Sequence, residues 1–316
     1  MKILALEGLS EKASEILEKQ NFEVLTTKVA QGQLENYIIK NNIDAVLTGN
    51  NNEIQQELID ACPSLKLVGS YNKNTDNIDA QYAIDNGIQI INPSEGNVNA
   101  IAELVFAHLF GMTRFLHLSN REMPLEGDMN FKSLHRTFSQ GNELRGKTLG
   151  IIGFDTVGHE VAKLALAIGM KVIATENQTG DNIINIPFYN GQFVNIEVET
   201  DTASEIIKQA DFITIHTENT DEQILGQQQF ESMKKGVGIV NTSHSGAIDE
   251  IALIKAIEDK VVKYAGLDYF ENQTAPEIQL LMKPELSLTP NIATKTLESE
   301  ENVDIELANK IVKLLS

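Results

Sequence analysis

The chain has 316 residues, a formal net charge of −20, 42% hydrophobic and 22% charged residues, and no tryptophan. That length suffices for two domains, each with its own core, in an ordinary globular composition. The acidity disfavours approach to nucleic acid and to anionic membrane, so both are excluded as main partners, and solubility accounts for the charge.

The single cysteine, Cys62, rules out an intrachain disulfide and agrees with a reducing, cytoplasmic setting. In Asp60-Ala61-Cys62-Pro63 it stands at a predicted helix end, and reads as packing rather than as a nucleophile. No apolar run reaches the roughly 18 residues that a membrane span needs. The apolar run 3–6 has no cleavage-site pattern behind it, so it reads as a strand and not as a signal peptide.

The uninterrupted run Ile3-Leu4-Ala5-Leu6 suits a strand buried on both faces. A helix follows, with Ala13, Ile16 and Leu17 at helical spacing. Further strands are predicted over 22–25, 45–47, 65–69 and 88–91, with helical segments between them. Residues 99–115 read as a long apolar helix carrying Leu104, Val105, Leu109 and Met112. The polar stretch 119–142 reads as a connection or arm. A second alternating series places strands at 149–152, 171–174, 212–215, 238–241 and 264–267. A helix over 157–168 in that series is closed by Gly169. Within it, Asn190-Gly191 between apolar residues of 188–193 predicts a two-residue hairpin turn. The last segment, 298–315, is helical. Strand–helix alternation throughout argues for parallel sheets with crossover helices.

Between the strand at 149–152 and its helix lies Gly150-Ile151-Ile152-Gly153-Phe154-Asp155-Thr156-Val157-Gly158. A dinucleotide fingerprint belongs here: glycine is needed for a tight turn, for approach of backbone to pyrophosphate, and for helix–strand packing. Gly153 and Gly158 fill the first and third roles, and Asp155 occupies the second. Two unit charges ~4 Å apart repel by about 4 kcal/mol at an effective dielectric near 20. Half of that weakens binding by more than about tenfold. Glu176 ends the next strand, in register with the acidic residue that binds the adenosine ribose, which favours NAD over NADP. The alternative is that Gly153 and Gly158 serve only the turn and the packing.

Several segments carry one resemblance. Leu144-Arg145-Gly146-Lys147-Thr148-Leu149-Gly150-Ile151-Ile152-Gly153, Thr75-Asp76-Asn77-Ile78-Asp79, Gly96-Asn97 with Ala102-Glu103, Ala265-Gly266-Leu267-Asp268 and Leu288-Thr289-Pro290 stand in order along the chain. Together they resemble the D-isomer-specific 2-hydroxyacid dehydrogenases, most of all the phosphoglycerate dehydrogenases of serine synthesis in their short form. The resemblance implies an α/β fold: two Rossmann-like, doubly wound parallel-sheet domains with the active site in a cleft between them. Residues 1–98 and 289–316 would form a discontinuous substrate domain, and 99–288 the nucleotide-binding domain. It implies NAD as cofactor, with Gly153, Asp155, Thr156, Val157, Gly158, Glu176, Thr242 and Asp268 at the cofactor positions. It implies dimers through the nucleotide domain, for which the helix around Leu104 and Leu109 is a candidate surface; core burial is the alternative for that helix.

Hydride transfer to a 2-keto acid needs a cation for the carboxylate, an acid/base for the carbonyl oxygen, and a carboxylate to keep that base protonated. The family uses arginine, histidine and glutamate, residues suited to these tasks by bidentate geometry and by titration near neutrality. Here the arginine position is His244, the glutamate position Gln273 and the histidine position Asn291. His244 lacks the planar fork, Gln273 has no negative charge, and Asn291 exchanges no proton near neutral pH. The substrate loop of the family, basic and glycine-rich, is replaced by Tyr71, Asn72, Lys73 and Asn74; Lys73 reads either as an anion ligand or as a solvated loop lysine. Val98 stands where a hydroxyl residue is common in the family.

These changes fall on functional positions, while the strand and helix pattern is intact. The expectation is a retained fold without dehydrogenase activity, in a protein that binds a small-molecule anion or regulates. It would dimerise with itself or with an active relative. The alternative is an active NAD-dependent D-3-phosphoglycerate or other 2-hydroxyacid dehydrogenase using atypical residues. A hydrolase built on Ser243-His244-Ser245 is discounted, because no nucleophile elbow surrounds it. The scattered histidines have no zinc-type spacing, so no metal is expected.

Overall fold

A computed structural model describes the chain apart from residues 50, 73, 74, 76, 177–179, 181 and 218–222. The chain forms two compact units, Met1–Val98 with Thr294–Ser316, and Asn99–Ala293.

The first unit alternates β1 (Lys2–Ala5), α1 (Glu11–Glu18), β2 (Glu23–Thr26), α2 (Gln31–Asn41), β3 (Ala45–Thr48), α3 (Gln56–Ala61), β4 (Leu67–Ser70), α4 (Ala80–Asp85) and β5 (Gln89–Ile91). The strands form one parallel sheet, in the order β2-β1-β3-β4-β5. Successive side chains leave a strand on opposite faces, and the sequence supplies apolar residues to both. Leu4, Val46 and Val68 pack with Leu34, Ile38, Leu58, Ile59 and Cys62 on one face. On the other, Ile3, Ala5, Leu47 and Leu67 pack with Ala13 and Leu17. Burial raises the Cys62 thiol to about 11, which leaves it protonated and inert.

The second unit opens with α5 (Val98–Thr113). Its strands are β6 (Thr148–Ile152), β7 (Lys171–Thr175), β8 (Ile183–Pro187), β9 (Phe193–Glu197), β10 (Glu199–Asp201), β11 (Phe212–Ile215), β12 (Val237–Asn241), β13 (Val262–Leu267) and β14 (Leu286–Leu288). Its other helices are α6 (Leu116–Glu126), α7 (Phe131–Phe138), α8 (Thr156–Ala167), α9 (Ala203–Gln209), α10 (Gln227–Ser232), α11 (Glu250–Glu258) and α12 (Ile278–Leu281). Seven strands run parallel in the order β10-β7-β6-β11-β12-β13-β14, the doubly wound arrangement. Leu109, Val105 and Met112 of α5 are fully buried in this unit's own core, so Leu109 is not a surface for association.

Three expectations need correction. The stretch 119–142 is not an irregular connection; it holds most of α6 and all of α7, neither of which buries a residue. Phe131, Leu134 and Phe138 have helical spacing that polar composition masks. Phe115 takes the left-handed region (φ 54°), and α6 leaves α5 at a bend of 56°. Phe115 also meets Phe138 at the arm's base, with the rings tilted and their centroids 6.2 Å apart. The predicted two-residue turn is a longer loop: Gly191 N donates to Phe188 O and Phe188 N to Gln192 O, and only Gly191 has positive φ (83°). That is a three-residue loop ending in a left-handed glycine. The return to the first unit falls at Thr294 rather than 289, because Thr289, Ile292 and Ala293 are hydrogen-bonded to Asp268 of the second unit.

The chain ends in α13 (Leu297–Leu315), whose Val303, Leu307, Ala308 and Ile311 complete one face of the first sheet. Glu306 of α13 accepts N–H groups from Ser94, Glu95 and Gly96 and pairs with Lys310 at 2.7 Å. Against the cost of its burial, the Lys310 ammonium and these donors hold the carboxyl down to about 2. Gly96 is required here, since a Cβ would lie 2.7 Å from Val303 N. No single helix among the described residues is long and apolar enough to cross a membrane.

Candidate active site

The three positions that the sequence singles out for chemistry lie beyond the C-terminal ends of three neighbouring strands. His244 follows β12, Gln273 follows β13 and Asn291 follows β14. Hydrogen bonds tie the three loops into one surface: Asp268 N donates to Asn241 O, and Asn291 N donates to Asp268 O. In open parallel sheets this edge is where ligands bind.

His244 is buried, at 5% exposure. Its Nδ1 lies 2.8 Å from Ser245 O and its Nε2 3.1 Å from Thr217 Oγ1. A carbonyl only accepts, so Nδ1 carries the donated proton and Nε2 faces the hydroxyl. Ser243 Oγ donates to Thr217 O at 2.7 Å, and Asn241 braces the turn by donating to His244 O. Both ring nitrogens are therefore engaged inside the protein. Gln273 and Asn291 are exposed. Asn291 has φ 55°, a conformation that asparagine tolerates well.

Asp268, fully buried, brackets the segment carrying Asn291. Its Oδ1 accepts from Thr289 Oγ1 (2.6 Å) and Ile292 N (2.9 Å), its Oδ2 from Ala293 N (2.8 Å). Sequence reading missed His108 of α5, 2% exposed, whose Nδ1 meets Ser287 Oγ at 2.9 Å and whose Nε2 meets Thr289 Oγ1. A lone histidine in an apolar helix carries no motif; its only signal is polarity on a face that is otherwise core. His216 after β11 is also buried, bonded to Thr214 Oγ1 at 2.9 Å.

At the dinucleotide turn, Asp155 is the N-cap of α8. Its Oδ1 accepts from Val157 N (3.2 Å) and Gly158 N (3.5 Å). Gly153 N donates instead to Thr175 Oγ1 at 3.0 Å. Gly153 has φ 93°, and a Cβ there would stand 2.5 Å from the His216 carbonyl carbon; one on Gly158 would stand 2.4 Å from Gly153 O. Glycine is thus imposed at both positions by the fold alone. Thr156 opens α8 and Val157 follows it in the same turn, while Glu176 is exposed just past β7. Thr242 is buried with its hydroxyl unpartnered. Beside this edge, Ile152, Ala203, Ser204, Ile207, Ile224 and Gln229 line a mainly apolar cavity of about 260 Å³.

In the first unit, Tyr71 is not a loop residue facing ligand. Its ring packs against the core and its hydroxyl donates to Gly8 O, with burial pushing the phenol upward. Asn72 N donates to Ser70 Oγ. Lys73 and Asn74 of the expected substrate loop, and Asp76 of the neighbouring motif, lie outside the described residues.

The NAD-binding domain model of the D-isomer specific 2-hydroxyacid dehydrogenases matches residues 106–293. A hydroxypyruvate reductase of Thermotoga maritima is 34% identical over 97% of this chain and 96% of its own length. A D-3-phosphoglycerate dehydrogenase of Archaeoglobus fulgidus is 33% identical over 99% of this chain, which spans 57% of that relative's length. Among solved structures, an acyclic imino acid reductase in complex with NADPH and D-Arg superposes with a TM-score of 0.77 at 26% identity, covering 100% of this chain and 97% of its own. The apo D-mandelate dehydrogenase of Rhodotorula graminis shares the fold, with a TM-score of 0.81 at 20% identity, covering 99% and 94% of the two chains. With the strand order, the turn at Gly153 and these likenesses in agreement, the chain belongs to the D-isomer-specific 2-hydroxyacid dehydrogenase family.

Proposed function

We propose that this chain is a member of the family that has lost hydride transfer and serves as a binding or regulatory protein. The observation that carries this reading is His244. The position needs a cation with a planar fork to seat a carboxylate. Here it holds a buried imidazole with both nitrogens committed to Ser245 and Thr217. Asn291 has no proton to exchange near neutrality, and Gln273 cannot hold a neighbouring base protonated. The Asp155 carboxylate, lodged on the amides of Val157 and Gly158, weakens dinucleotide binding, so NAD is a poor ligand. The polar groups of the three loops still offer hydrogen bonds to a small anion. The chain works as a dimer, with itself or with an active relative, through the exposed apolar residues of α6 and α7 (Leu116, Leu125, Phe131).

A second reading is an active NAD-dependent 2-hydroxyacid dehydrogenase, reducing phosphohydroxypyruvate or a smaller keto acid through atypical residues. Its support is the 34% identity with a hydroxypyruvate reductase across almost the whole chain, and the retained Glu176. NADH oxidation assayed with 3-phosphohydroxypyruvate, hydroxypyruvate and glyoxylate separates the two. No turnover above a protein-free control is expected. His244→Arg, Gln273→Glu and Asn291→His, made singly, are each expected to restore none. Saturable turnover in the unaltered protein overturns the first reading, and its loss in His244→Ala identifies the residue responsible.

A further inference from the structure

We propose that Asn190 is a modification site, where the tip of the β8–β9 hairpin converts its own side-chain amide to a carboxylate and releases ammonia. The inference is independent of the reading given for the catalytic positions.

The chain has two Asn-Gly pairs, Asn86-Gly87 and Asn190-Gly191, and all four residues are exposed. The chemistry open to both is attack of the glycine nitrogen on the asparagine Cγ. A cyclic imide closes, and Nδ2 leaves as ammonia with the proton from the glycine nitrogen. Water then opens the imide. Attack at the former side-chain carbonyl gives aspartate; attack at the main-chain carbonyl gives isoaspartate, with one more methylene in the backbone. The sum is amide plus water to acid plus ammonia, with nothing oxidised or reduced. Glycine favours closure because it has no Cβ to shield its nitrogen or restrict its backbone. Residue type and exposure thus leave the two pairs equal, and hydrogen bonding separates them.

Asn86 closes α4. Its Nδ2 donates to Tyr82 O at 2.9 Å, back along the helix, which turns Cγ away from Gly87 N. Asn86 N is held by Tyr82 O and Ala83 O, and Ile88 N by Ala83 O, with the Ile88 side chain buried. Closing the imide there undoes the end of α4 and pulls on a core residue.

At Asn190 the side chain lies forward. Its Oδ1 accepts from Gln192 N at 3.0 Å, which folds Cγ over the peptide leading to Gly191. That oxygen gains negative charge as Gly191 N attacks, and the Gln192 N–H is already aimed at it. Nδ2 donates to Gln192 Oε1 at 3.0 Å, a bond between exposed groups that water replaces. Each glycine N–H has one carbonyl to leave, Phe188 O for Gly191 and Ile84 O for Gly87, so that cost is common to both. Residues 182–196 hold no charged side chain, in a chain of net charge −20. The new carboxylate is therefore the first charge beside the exposed Phe188, Tyr189 and Phe193. Charge discourages a strand edge from pairing with another chain, so the one-way conversion changes what the hairpin's surface can meet.

The full chain is incubated in mildly alkaline buffer, folded or unfolded in guanidinium chloride, and both Asn-Gly peptides are followed by mass spectrometry. Asn190→Asp supplies the product standard. In the folded protein Asn190 is expected to convert at least about tenfold faster than Asn86, the factor set by the additional hydrogen bonds that Asn86 gives up. In the unfolded chain the two rates are expected to converge. Gly191→Ala, incubated folded, is expected to slow conversion at Asn190 and leave Asn86 unchanged. A rate ratio no larger in the folded than in the unfolded chain overturns the proposal, because local sequence then sets it. So does an Asn190 that stays an amide in the folded protein while the unfolded chain converts. A rate at Asn190 unaffected by Gly191→Ala overturns it too, since closure through that nitrogen is then not the route.

Discussion

His108 Nε2 and Thr289 Oγ1, 181 residues apart in the chain, meet at 3.2 Å inside the second unit. Thr289 donates its own proton to Asp268 Oδ1, so its oxygen accepts from His108, and Nδ1 is left to accept from Ser287 Oγ. The chain of bonds from α5 to Asp268 thus uses a neutral imidazole with its proton on Nε2.

Burial holds this ring down to about 4, with His117 adding to the effect and Asp268 opposing it. A histidine whose folded value lies below its unfolded one near 6.5 stabilises fully above pH 6.5 and loses that contribution as pH falls toward 4. The loss is on the order of 3 kcal/mol. His216, lowered by burial to about 3, extends the same trend further into acid. Urea denaturation followed from pH 7 to pH 4 is expected to show this slope, and a markedly shallower one in His108→Leu. An unchanged slope would place the titration elsewhere.

Glu306 acts in the opposite sense and in a lower window. Its folded value of about 2 lies below the ordinary 4.5, so its contribution is complete above pH 4.5 and disappears as pH falls through about 2. With its side chain only 16% exposed, Glu306→Ala should cost about 3 kcal/mol at pH 7, because three backbone donors and Lys310 lose their acceptor. A chemical denaturation midpoint within experimental error of the unaltered protein would refute this.

Gly153→Ala is expected to destabilise the ligand-free protein by about 2 kcal/mol or more, since the added Cβ meets the His216 carbonyl and the backbone is left-handed there. Gly158→Ala should act similarly through Gly153 O. Thermal melting without any nucleotide present is the measurement. Full stability in these variants would mean that the glycines are kept for a ligand and not for the fold.

The arm of α6 and α7 exposes Leu125 at 68% and Phe131 at 57%. If it is the surface through which the chain associates, Leu125→Glu with Phe131→Glu should convert a dimer to a monomer in light scattering, with little change in helix content. A mass unaffected by the pair would rule the arm out.

Periodicity made most strands and the long helices legible, because burial on both faces of parallel sheets writes continuous apolar runs such as Ala45-Val46-Leu47. The arm escaped, since α6 and α7 bury nothing and so carry no core stripe. The turn at 188–192 was placed correctly but sized wrongly, because Asn-Gly permits a tight turn without imposing one. At the site, motif spacing located His244, Gln273 and Asn291. It gave no hint that Thr217 and the neighbouring Ser245 carbonyl would take up both nitrogens of His244, or that Asp268 brackets 289–293, because Thr217 and Asp268 lie in other loops and a backbone carbonyl's direction is not written in residue type. The fingerprint sets the Asp155 charge where a phosphate belongs; its role as the cap of α8 depends on a side-chain rotamer that no spacing encodes.

A doubly wound sheet normally joins parallel neighbours through a helix, yet between β7 and β10 this chain places the antiparallel pair β8–β9. The inner residues Ile184 and Ile196 face the core side, while Tyr189 at the tip is fully exposed. A loop tip of this kind tolerates interruption, because it lies beyond the last ladder pair, Pro187 with Phe193, and opening it gives up only the turn's own closing bonds. Residues 189–191 are accordingly the natural place to open the chain, for a fluorescent insertion or for new termini, leaving both parallel sheets intact.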